Sequence, residues 1–269
     1  MPGEILGKEL RVKVPSISVL LQIRDMSDNR VTIICCYNNE EQYKSELIAS
    51  IELQTEKCDV IALNNTKNLF KSSSEAFNSV MNKIKTRYVV FSHQDICMTK
   101  GWSLSKFIDY MTLAKVGDIY GVAGTSLQEF GVLSAIYHGK NQSPAWERKL
   151  TGIQKCDTID ECFFGGMADT FRRYPFNEKL CNNWHLYAVE RCLNNRLYGH
   201  EVYVCEIPLI HLSKGKINRE FNINFRALCK SYSRYYTEIY TTCARSKTDI
   251  ISRNVNYLKM ELKRILKHE

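Results

Sequence analysis

The first half of the chain alternates short apolar runs with longer segments whose apolar residues recur every three or four positions. Three of the runs, Val31–Tyr37, Asp59–Leu63 and Tyr88–Phe91, have the length and the β-branched and aromatic content of buried strands. Segments 40–54 and 72–85 between them carry their apolar side chains on one helical face. The order strand, helix, strand, helix, strand predicts a sheet of parallel strands with crossover helices.

Polar side chains follow each of these predicted strands. Carboxyl ends of parallel strands meet at one edge of a sheet, where ligands bind, so we expect these side chains to converge there. The chain has no glycine-rich phosphate loop after any of the three strands, which argues against a dinucleotide or P-loop site. An aromatic face and amide groups suit a flat base, and we expect a uracil or thymine nucleotide. The residues predicted to bind the nucleotide ligand at this edge are Tyr37, Asn38, Asn64, His93, Gln94 and Asp95.

Four segments, spread over residues 31 to 213, together resemble the family 2-type glycosyltransferases of the GT-A fold, in the bacterial branch called glycosyltransferase-like. The segments are "VTIICCYNNEEQYKSELIASIELQ", "DVIALNNTKN", "YVVFSHQDICMTKGW" and "GGMADTFRRYPFNEKLCNNWHLYAVERCLNNRLYG". The resemblance implies an α/β fold with a mostly parallel central sheet flanked by helices. It also implies transfer of a sugar, of hexosyl or deoxyhexosyl type, from a nucleotide diphosphate such as a UDP- or dTDP-sugar. The acceptor would be a glycan or a lipid-linked molecule of polysaccharide biosynthesis.

The family's Asp-x-Asp motif is reduced here to His93-Gln94-Asp95, which keeps only the last acid. An oxygen ligand at Asp95 can still hold a divalent cation, Mn²⁺ or Mg²⁺, against a diphosphate. His93 is then either a second ligand or a hydrogen-bonding partner of the diphosphate. The resemblance implies a late histidine in the metal shell, and His211 stands at that place, after a predicted strand over 202–210. Arg172 is either a surface charge or a diphosphate contact.

The resemblance also implies a catalytic base on a helix that begins near Asn183. The family's Glu-Asp pair reads Val189-Glu190 here, so Glu190 is the predicted base, with Asp160 and His185 in reserve. In this family such a base goes with inversion at the anomeric carbon. The reduced motifs leave an alternative, a catalytically impaired sugar-nucleotide-binding or membrane-docked scaffold protein. A nucleotidyltransferase would need a glycine-rich and basic loop after the first strand, and "CCYNNEEQY" is not one.

The net charge of +8 is unevenly distributed along the chain. Residues 1–213 hold 24 basic and 24 acidic side chains, whereas residues 214–269 hold 13 and 5. We therefore expect an N-terminal arm or edge strand over 1–30, a GT-A catalytic domain over 31–213 and basic C-terminal helices over 214–269. Those helices either pack on the catalytic domain or dock on anionic lipid. Nucleic acid is not an expected partner, because no recognition motif accompanies the charge.

The eleven cysteines are scattered, and most lie within apolar runs, which predicts reduced thiols in a cytoplasmic protein. No stretch of eighteen apolar residues occurs, and the N-terminus lacks a basic-then-apolar signal pattern. We expect a cytoplasmic location, with peripheral contact at the inner face of the membrane.

Overall fold

The computed structural model describes residues 31–126, 131–139, 141–145, 150–213 and 217–266. The predicted arm over 1–30 lies outside the described residues. The helices are α1 (Glu40–Gln42), α2 (Ala49–Glu52), α3 (Ser73–Asn78), α4 (Ser103–Met111), α5 (Ala168–Arg173), α6 (Tyr187–Leu197), α7 (Arg219–Ser231) and α8 (Ile250–Leu266). The strands are β1 (Val31–Tyr37), β2 (Asp59–Asn64), β3 (Tyr88–Ser92), β4 (Ile96–Met98), β5 (Ile119–Gly121), β6 (Ala123–Thr125), β7 (Val132–Ser134), β8 (Ile136–His138), β9 (Ser143–Pro144), β10 (Ile153–Lys155), β11 (Thr158–Ile159), β12 (Phe163–Met167), β13 (Val202–Cys205), β14 (Leu209–His211), β15 (Glu238–Tyr240) and β16 (Arg245–Lys247).

A seven-stranded sheet in the order β10-β13-β5-β12-β3-β1-β2 forms the centre of the molecule. Strands β1, β2 and β3 are parallel neighbours, as predicted. Strand β12 runs antiparallel to both β3 and β5, and β10 runs antiparallel to β13. Because β13 is parallel to β5, five of the seven strands point the same way. The expected α/β architecture with a mostly parallel sheet is confirmed.

The two predicted crossover helices are present but irregular. The first begins at α1, widens into a π-helical segment over Tyr43–Ile48 and ends in α2. The second is shorter than the predicted 72–85, because α3 gives way to a 3₁₀ turn over Met81–Lys83. Ser72 caps α3 by accepting the Glu75 backbone N–H at 3.1 Å. Both helices still carry the chain back to the amino end of the next parallel strand.

The predicted single strand over 202–210 is two strands in different sheets. Strand β13 belongs to the central sheet, whereas β14 joins the four-stranded sheet β4-β14-β8-β9. Pro208 lies between them, and proline cannot donate to a strand ladder, which favours such a break. The antiparallel pairing of β14 with β4 aligns His211 with Ile96, the residue after Asp95. This small sheet therefore brings His211 to the carboxyl end of β3.

The glycine pair of β12 serves strand packing. A Cβ at Gly165 would lie 2.2 Å from the Val89 carbonyl oxygen of β3, and one at Gly166 would lie 2.8 Å from the Asp118 carbonyl oxygen. Neighbouring backbone fills the space at both positions, so neither glycine leaves room for a side chain.

The C-terminal segment packs on α6 through α7. Phe225, Leu228 and Tyr232 form a buried cluster with Val189 and Leu193 of α6. Apolar residues recur at helical spacing from Phe221 to Ile239, but α7 ends at Ser231 and Ile239 lies buried in the hairpin β15–β16. Helix α8 contacts α7 and has no buried residue.

Within the described residues no helix is long and apolar enough to cross a membrane. All eleven cysteines are free thiols, and seven of them are buried.

Candidate functional site

Three side chains with metal-ligating atoms meet at the carboxyl edge of the central sheet. His93 and Asp95 follow β3, and His211 ends β14. Their candidate ligand atoms all lie within 4.8 Å of one another. The His211 Nε2 lies 3.3 Å from Asp95 Oδ1, and the rings of His93 and His211 are 5.5 Å apart between centroids. The sequence placed all three at this edge, and the structure brings them together.

The charges of the cluster depend on one another. Burial alone would raise the pKa of Asp95, but the hydrogen bond and charge of His211 hold it well below its usual range. Burial would lower the pKa of His211, but its hydrogen bond to Asp95 raises it. For His93 burial prevails and, with the neighbouring His211, lowers the pKa to about 4. At neutral pH the cluster thus contains a carboxylate and a neutral imidazole, both of which are ligand forms.

Further contacts hold the three side chains in place. The Ser213 backbone N–H donates to Asp95 Oδ2 at 3.2 Å, and the Ser213 hydroxyl lies 3.2 Å from His211 Nε2. The Tyr187 hydroxyl lies 3.2 Å from His93 Nε2, which fixes that ring. Such outer contacts orient metal ligands in proteins. Two imidazoles and one carboxylate fit a first-row transition ion such as Mn²⁺ better than Mg²⁺, which prefers oxygen ligands.

Gln94 joins the ends of β1 and β3. Its Oε1 accepts the backbone N–H groups of Asn38 and Asn39 at 2.9 and 3.0 Å. Its Nε2 donates to Asn38 Oδ1 at 3.0 Å and to Gln42 Oε1 at 3.1 Å. Gln94 therefore has a structural role in shaping the loop after β1, in addition to its place next to Asp95.

The residues predicted to bind the nucleobase lie at the expected strand ends. Tyr37 pairs in register with Asn64 across β1 and β2. The Tyr37 ring is stacked on Tyr43, with 4.3 Å between centroids, and is only 8% exposed. Asn64 Oδ1 accepts from the backbone N–H and the hydroxyl of Thr66. Asn38 and Asn64 are exposed at this edge, whereas the Tyr37 ring is mostly covered.

A pair of adjacent carboxylic acids lies before β12, next to the cluster. Burial would raise the pKa of Asp160, but a hydrogen bond from Thr242 and the charge of His211 lower it. Burial raises the pKa of Glu161 to about 8, and the charge of Asp160 adds to the effect. Glu161 Oε1 is enclosed and has no hydrogen-bond partner among the described residues. At neutral pH Asp160 is therefore ionised while Glu161 is mostly protonated, a division typical of acid–base pairs.

Glu190 lies elsewhere, beneath the packing of α6 and α7. Its side chain is fully buried, and its Oε1 accepts from the Tyr232 hydroxyl at 2.7 Å and from Asn177 Nδ2 at 3.1 Å. Its Oε2 faces Arg191 Nη2 at 3.6 Å. Helical spacing puts Glu190 beside the apolar face formed by Leu186, Val189 and Leu193. In the structure Tyr232 of the C-terminal segment covers that side.

The remaining candidates are His185 and Arg172. His185 lies near enough to the cluster for its charge to help lower the pKa of His93. Its ring contacts Phe221 of α7 edge-on, at 5.7 Å between centroids, and burial lowers its own pKa. Arg172 contacts Asp169 and the Ile84 carbonyl oxygen. Arg172 lies on α5, which follows β12. The last residue of β12 pairs with Tyr88, the first residue of β3. The carboxyl edge is about 13 Å away along β3, so the structure does not bring Arg172 to the cluster.

Three contributors at this site escaped the sequence analysis: Glu161, Tyr187 and Thr242. Tyr187 opens α6 directly after Leu186, a buried residue with a φ of 67°. A left-handed leucine is strained, and such strain concentrates at functional sites. The acidic pair Asp160-Glu161 before an apolar strand was the only sequence signal for Glu161. No local pattern pointed to Thr242, because its contact spans 82 positions.

Residues 32–225 match the model of a family described as "Glycosyltransferase like family". The chain belongs to this glycosyltransferase family. The match includes the cluster, the acidic pair and α6, and ends within α7. The comparison with curated proteins finds no significant match.

Two solved structures share the fold. One is a mannosyltransferase from Pyrobaculum calidifontis in complex with GDP-Man and Mn²⁺, with a TM-score of 0.53, 9% identity and coverage of 76% of this chain and 63% of that one. The other is GalNAc-T7 with UDP, GalNAc and Mn²⁺, with a TM-score of 0.52, 10% identity and coverage of 74% and 47%. This chain thus spans less than two thirds of the length of either protein. The expected GT-A fold is confirmed.

Proposed function

We propose that this glycosyltransferase transfers a hexosyl or deoxyhexosyl group from a nucleotide diphosphate to a hydroxyl of a glycan or lipid-linked acceptor. The observation that carries the proposal is the His93, Asp95 and His211 cluster at the carboxyl edge of a GT-A sheet. Ligands of such sheets bind beyond this edge. The polar strand ends that carry Asn38 and Asn64 lie at the same edge and supply contacts for a nucleotide.

The three side chains of the cluster would hold a divalent cation, with Mn²⁺ preferred by their ligand set. When bound, the cation would neutralise charge on the departing diphosphate. Both structural relatives contain Mn²⁺ together with a nucleotide or nucleotide sugar, which supports this assignment. Tyr187 and Ser213 keep the ligand side chains oriented through their contacts with His93 and Asp95.

The acceptor hydroxyl must lose a proton as its oxygen attacks the anomeric carbon. In a direct displacement the new carbon–oxygen bond forms as the bond to the diphosphate breaks, and the configuration inverts. Of the three residues that the sequence pointed to, the geometry favours Asp160 as the base. It is ionised and partly exposed, and the hydrogen bond from Thr242 and the charge of His211 lower its pKa. Glu190 is fully buried, and one of its oxygens already accepts two hydrogen bonds.

A thermal-shift screen tests the donor assignment. UDP, dTDP and GDP are each added with and without Mn²⁺, and the melting temperature is recorded. A nucleotide that binds only the folded protein raises that temperature, by an amount that grows with the logarithm of its concentration relative to its Kd. We expect a uridine or thymidine diphosphate to stabilise the protein in the presence of Mn²⁺. Stabilisation by none of the three, with or without the metal, would contradict the proposal.

We further propose that α8 contacts the inner face of a membrane. Ile251, Val255, Leu258, Leu262 and Ile265 recur at four- and three-residue spacing and are 44–75% exposed. Lys259 and Lys263 lie beside this apolar face, an arrangement that suits anionic lipid.

Flotation with vesicles tests the membrane contact. We expect binding to phosphatidylglycerol vesicles and weaker binding to phosphatidylcholine vesicles, with loss of binding in Leu258→Glu. The control is Leu113→Glu, at an 86% exposed leucine outside α8. Equal flotation of wild type and Leu258→Glu would contradict this contact.

A further inference from the structure

The C-terminal hairpin β15–β16 reaches back to the acidic pair beside the cluster. The Thr242 hydroxyl, in the turn of the hairpin, donates to Asp160 Oδ2 at 2.6 Å. Two residues earlier in each segment, the Thr158 hydroxyl donates to the Tyr240 carbonyl oxygen, also at 2.6 Å. Two short hydrogen bonds therefore align the hairpin with the segment that leads to Asp160.

The hairpin is built to hold Thr242 in one place. The Thr241 backbone N–H donates to the Ala244 carbonyl oxygen at 2.8 Å, and the Ala244 N–H donates to the Thr241 hydroxyl at the same distance. Ile239 of β15 is 1% exposed and packs in the cluster that α6 and α7 share. The turn is thus closed by its own hydrogen bonds and anchored in the core.

Among the described residues, each oxygen of Asp160 has one hydrogen-bond partner. Oδ1 accepts the Cys162 backbone N–H at 3.0 Å, and Oδ2 accepts from Thr242. A carboxylate oxygen can accept two hydrogen bonds, so both oxygens can still accept a proton from a substrate hydroxyl. A single hydrogen bond would leave the carboxylate free to turn about its bond to Cβ. With one hydrogen bond on each oxygen, its orientation is fixed.

We propose that Thr242 is a positioning residue that aims the Asp160 carboxylate at the acceptor hydroxyl, so that the C-terminal hairpin is a required part of the active site. This inference rests on the proposed role of Asp160 as the base. In the transfer step the acceptor proton passes to Asp160, while the Thr242 hydroxyl keeps its own proton and remains a donor. The hairpin lies beyond residues 32–225, so this chain adds it to the segment that matches the family model.

A pair of substitutions separates positioning from packing. Thr242→Val keeps the shape of the side chain but removes the hydroxyl, and Thr242→Ser keeps the hydroxyl. Thr112→Val is the control, because the exposed Thr112 hydroxyl donates to the Asp109 carbonyl oxygen at the end of its own helix. Circular dichroism and melting temperature establish that each variant is folded.

The first measurement needs no substrate. The carboxyl carbon of Asp160 is followed by NMR against pH in the metal-free, ¹³C-aspartate-labelled protein. Loss of a hydrogen bond to a carboxylate should increase its proton affinity about tenfold in Thr242→Val, and Thr242→Ser should stay near wild type. An unchanged titration in a folded Thr242→Val variant would overturn the inference, whether or not the chain transfers sugar.

The second measurement is turnover, followed as diphosphate release from those uridine, thymidine or guanosine diphospho-sugars that the wild type consumes. We expect Thr242→Val to lose about 10- to 100-fold in kcat with an unchanged KM for the donor. Thr242→Ser should retain most of the wild-type kcat, and Thr112→Val should match wild type. Equal impairment of the Ser and Val variants would also overturn the inference. A wild type without turnover would contradict the proposed function alone, and the NMR titration would then decide the question of Thr242.

Discussion

Two groups of charged side chains, one at the carboxyl edge of the central sheet and one on α6 within the helical packing, differ in what surrounds them. At the carboxyl edge of the sheet, Asp95 and His211 remain about one-tenth exposed, and their partners are other side chains that can ligate. Within the helical packing, the side chains of Glu190 and Arg191 are 0% and 3% exposed. The partners of this second pair are Tyr232, Asn177 and the Pro175 carbonyl oxygen.

The difference teaches how to separate a ligand site from a structural charge. A buried ion pair costs desolvation and is tolerated where the surrounding groups satisfy it. In the Glu190 pair, Oε1 accepts from Tyr232 and Asn177. Glu190 Oε2 and Arg191 Nε have no hydrogen-bond partner among the described residues, and Oε2 faces Arg191 Nη2 at 3.6 Å. Through Tyr232 the pair joins α6 to the C-terminal segment. The cluster at the sheet edge leaves donor atoms close together and reachable. A carboxylate on a helix that matches a family motif is therefore a weaker indication of catalysis than a convergence of strand ends.

The largest expected effect is a difference in turnover between variants of the two carboxylates Asp160 and Glu190. Asp160→Asn should lower turnover by roughly 10²–10⁴-fold with donor affinity near normal, because a positioned general base contributes about that much. Glu190→Gln should lose far less activity, since Glu190 does not reach the substrate in this account. Diphosphate release by the two variants and wild type is the measurement. A large loss in Glu190→Gln, with Asp160→Asn active, would return the role of base to Glu190.

The next effect concerns stability. Glu190→Ala should lower the free energy of unfolding by about 3–5 kcal/mol, because it leaves the buried Arg191 without its partner. Asp95→Ala removes a less buried carboxylate and should cost less. Urea denaturation of both variants checks the contrast. Comparable losses in the two would show that the cluster is as structural as the Glu190 pair.

The first three strands were predicted almost to the residue, because an apolar run bounded by polar residues is a local signal. The short strands β4 to β7 that follow them were not predicted. The same signal located Asp95 and Asn64 at strand ends. The orientation of the Glu190 side chain, by contrast, has no local signal in the sequence. Periodicity placed it beside the apolar stripe of α6, but which neighbour covers that side depends on Tyr232, 42 positions away. The contact of Thr242 with Asp160 is likewise a product of tertiary folding.

A smaller effect is a pH dependence of the metal-free protein. The pKa of His93 is lowered to about 4 in the fold, by burial and by His211, whereas in the unfolded chain it is near its ordinary value of about 6.5. The contribution of His93 to stability is therefore fully present above about pH 6.5. It is lost as the pH falls from there through about 4.

Urea unfolding in the presence of a chelator, between pH 4.5 and 6.5, measures this slope. Up to about 1.4 kcal/mol of stability per pH unit should come from this one histidine, and His93→Gln should remove that part. His211, whose pKa is raised by Asp95, works in the opposite direction and loses its contribution above about pH 6.5. An identical slope in wild type and His93→Gln would contradict the burial of His93 as a neutral ring.

The smallest expected effect is at Gln94. Gln94→Leu removes the side-chain hydrogen bonds that tie the loop after β1 to the end of β3. Leaving two backbone N–H groups without their acceptor should weaken nucleotide binding by about tenfold. Calorimetry with UDP and Mn²⁺ measures it, and Gln142→Leu, at an exposed glutamine outside the site, is the control. Unchanged affinity would remove the loop after β1 from the donor site.

The central claim is that the sheet-edge cluster, and not the Glu190 pair, holds the cation with the nucleotide. Its most direct test is a Mn²⁺ titration followed by electron paramagnetic resonance, with UDP present, on wild type, Asp95→Asn and Glu190→Gln. We predict that Asp95→Asn, which keeps the shape but loses the charge, abolishes Mn²⁺ binding, and that Glu190→Gln binds Mn²⁺ as wild type does. Undiminished Mn²⁺ binding by a folded Asp95→Asn variant would contradict the account.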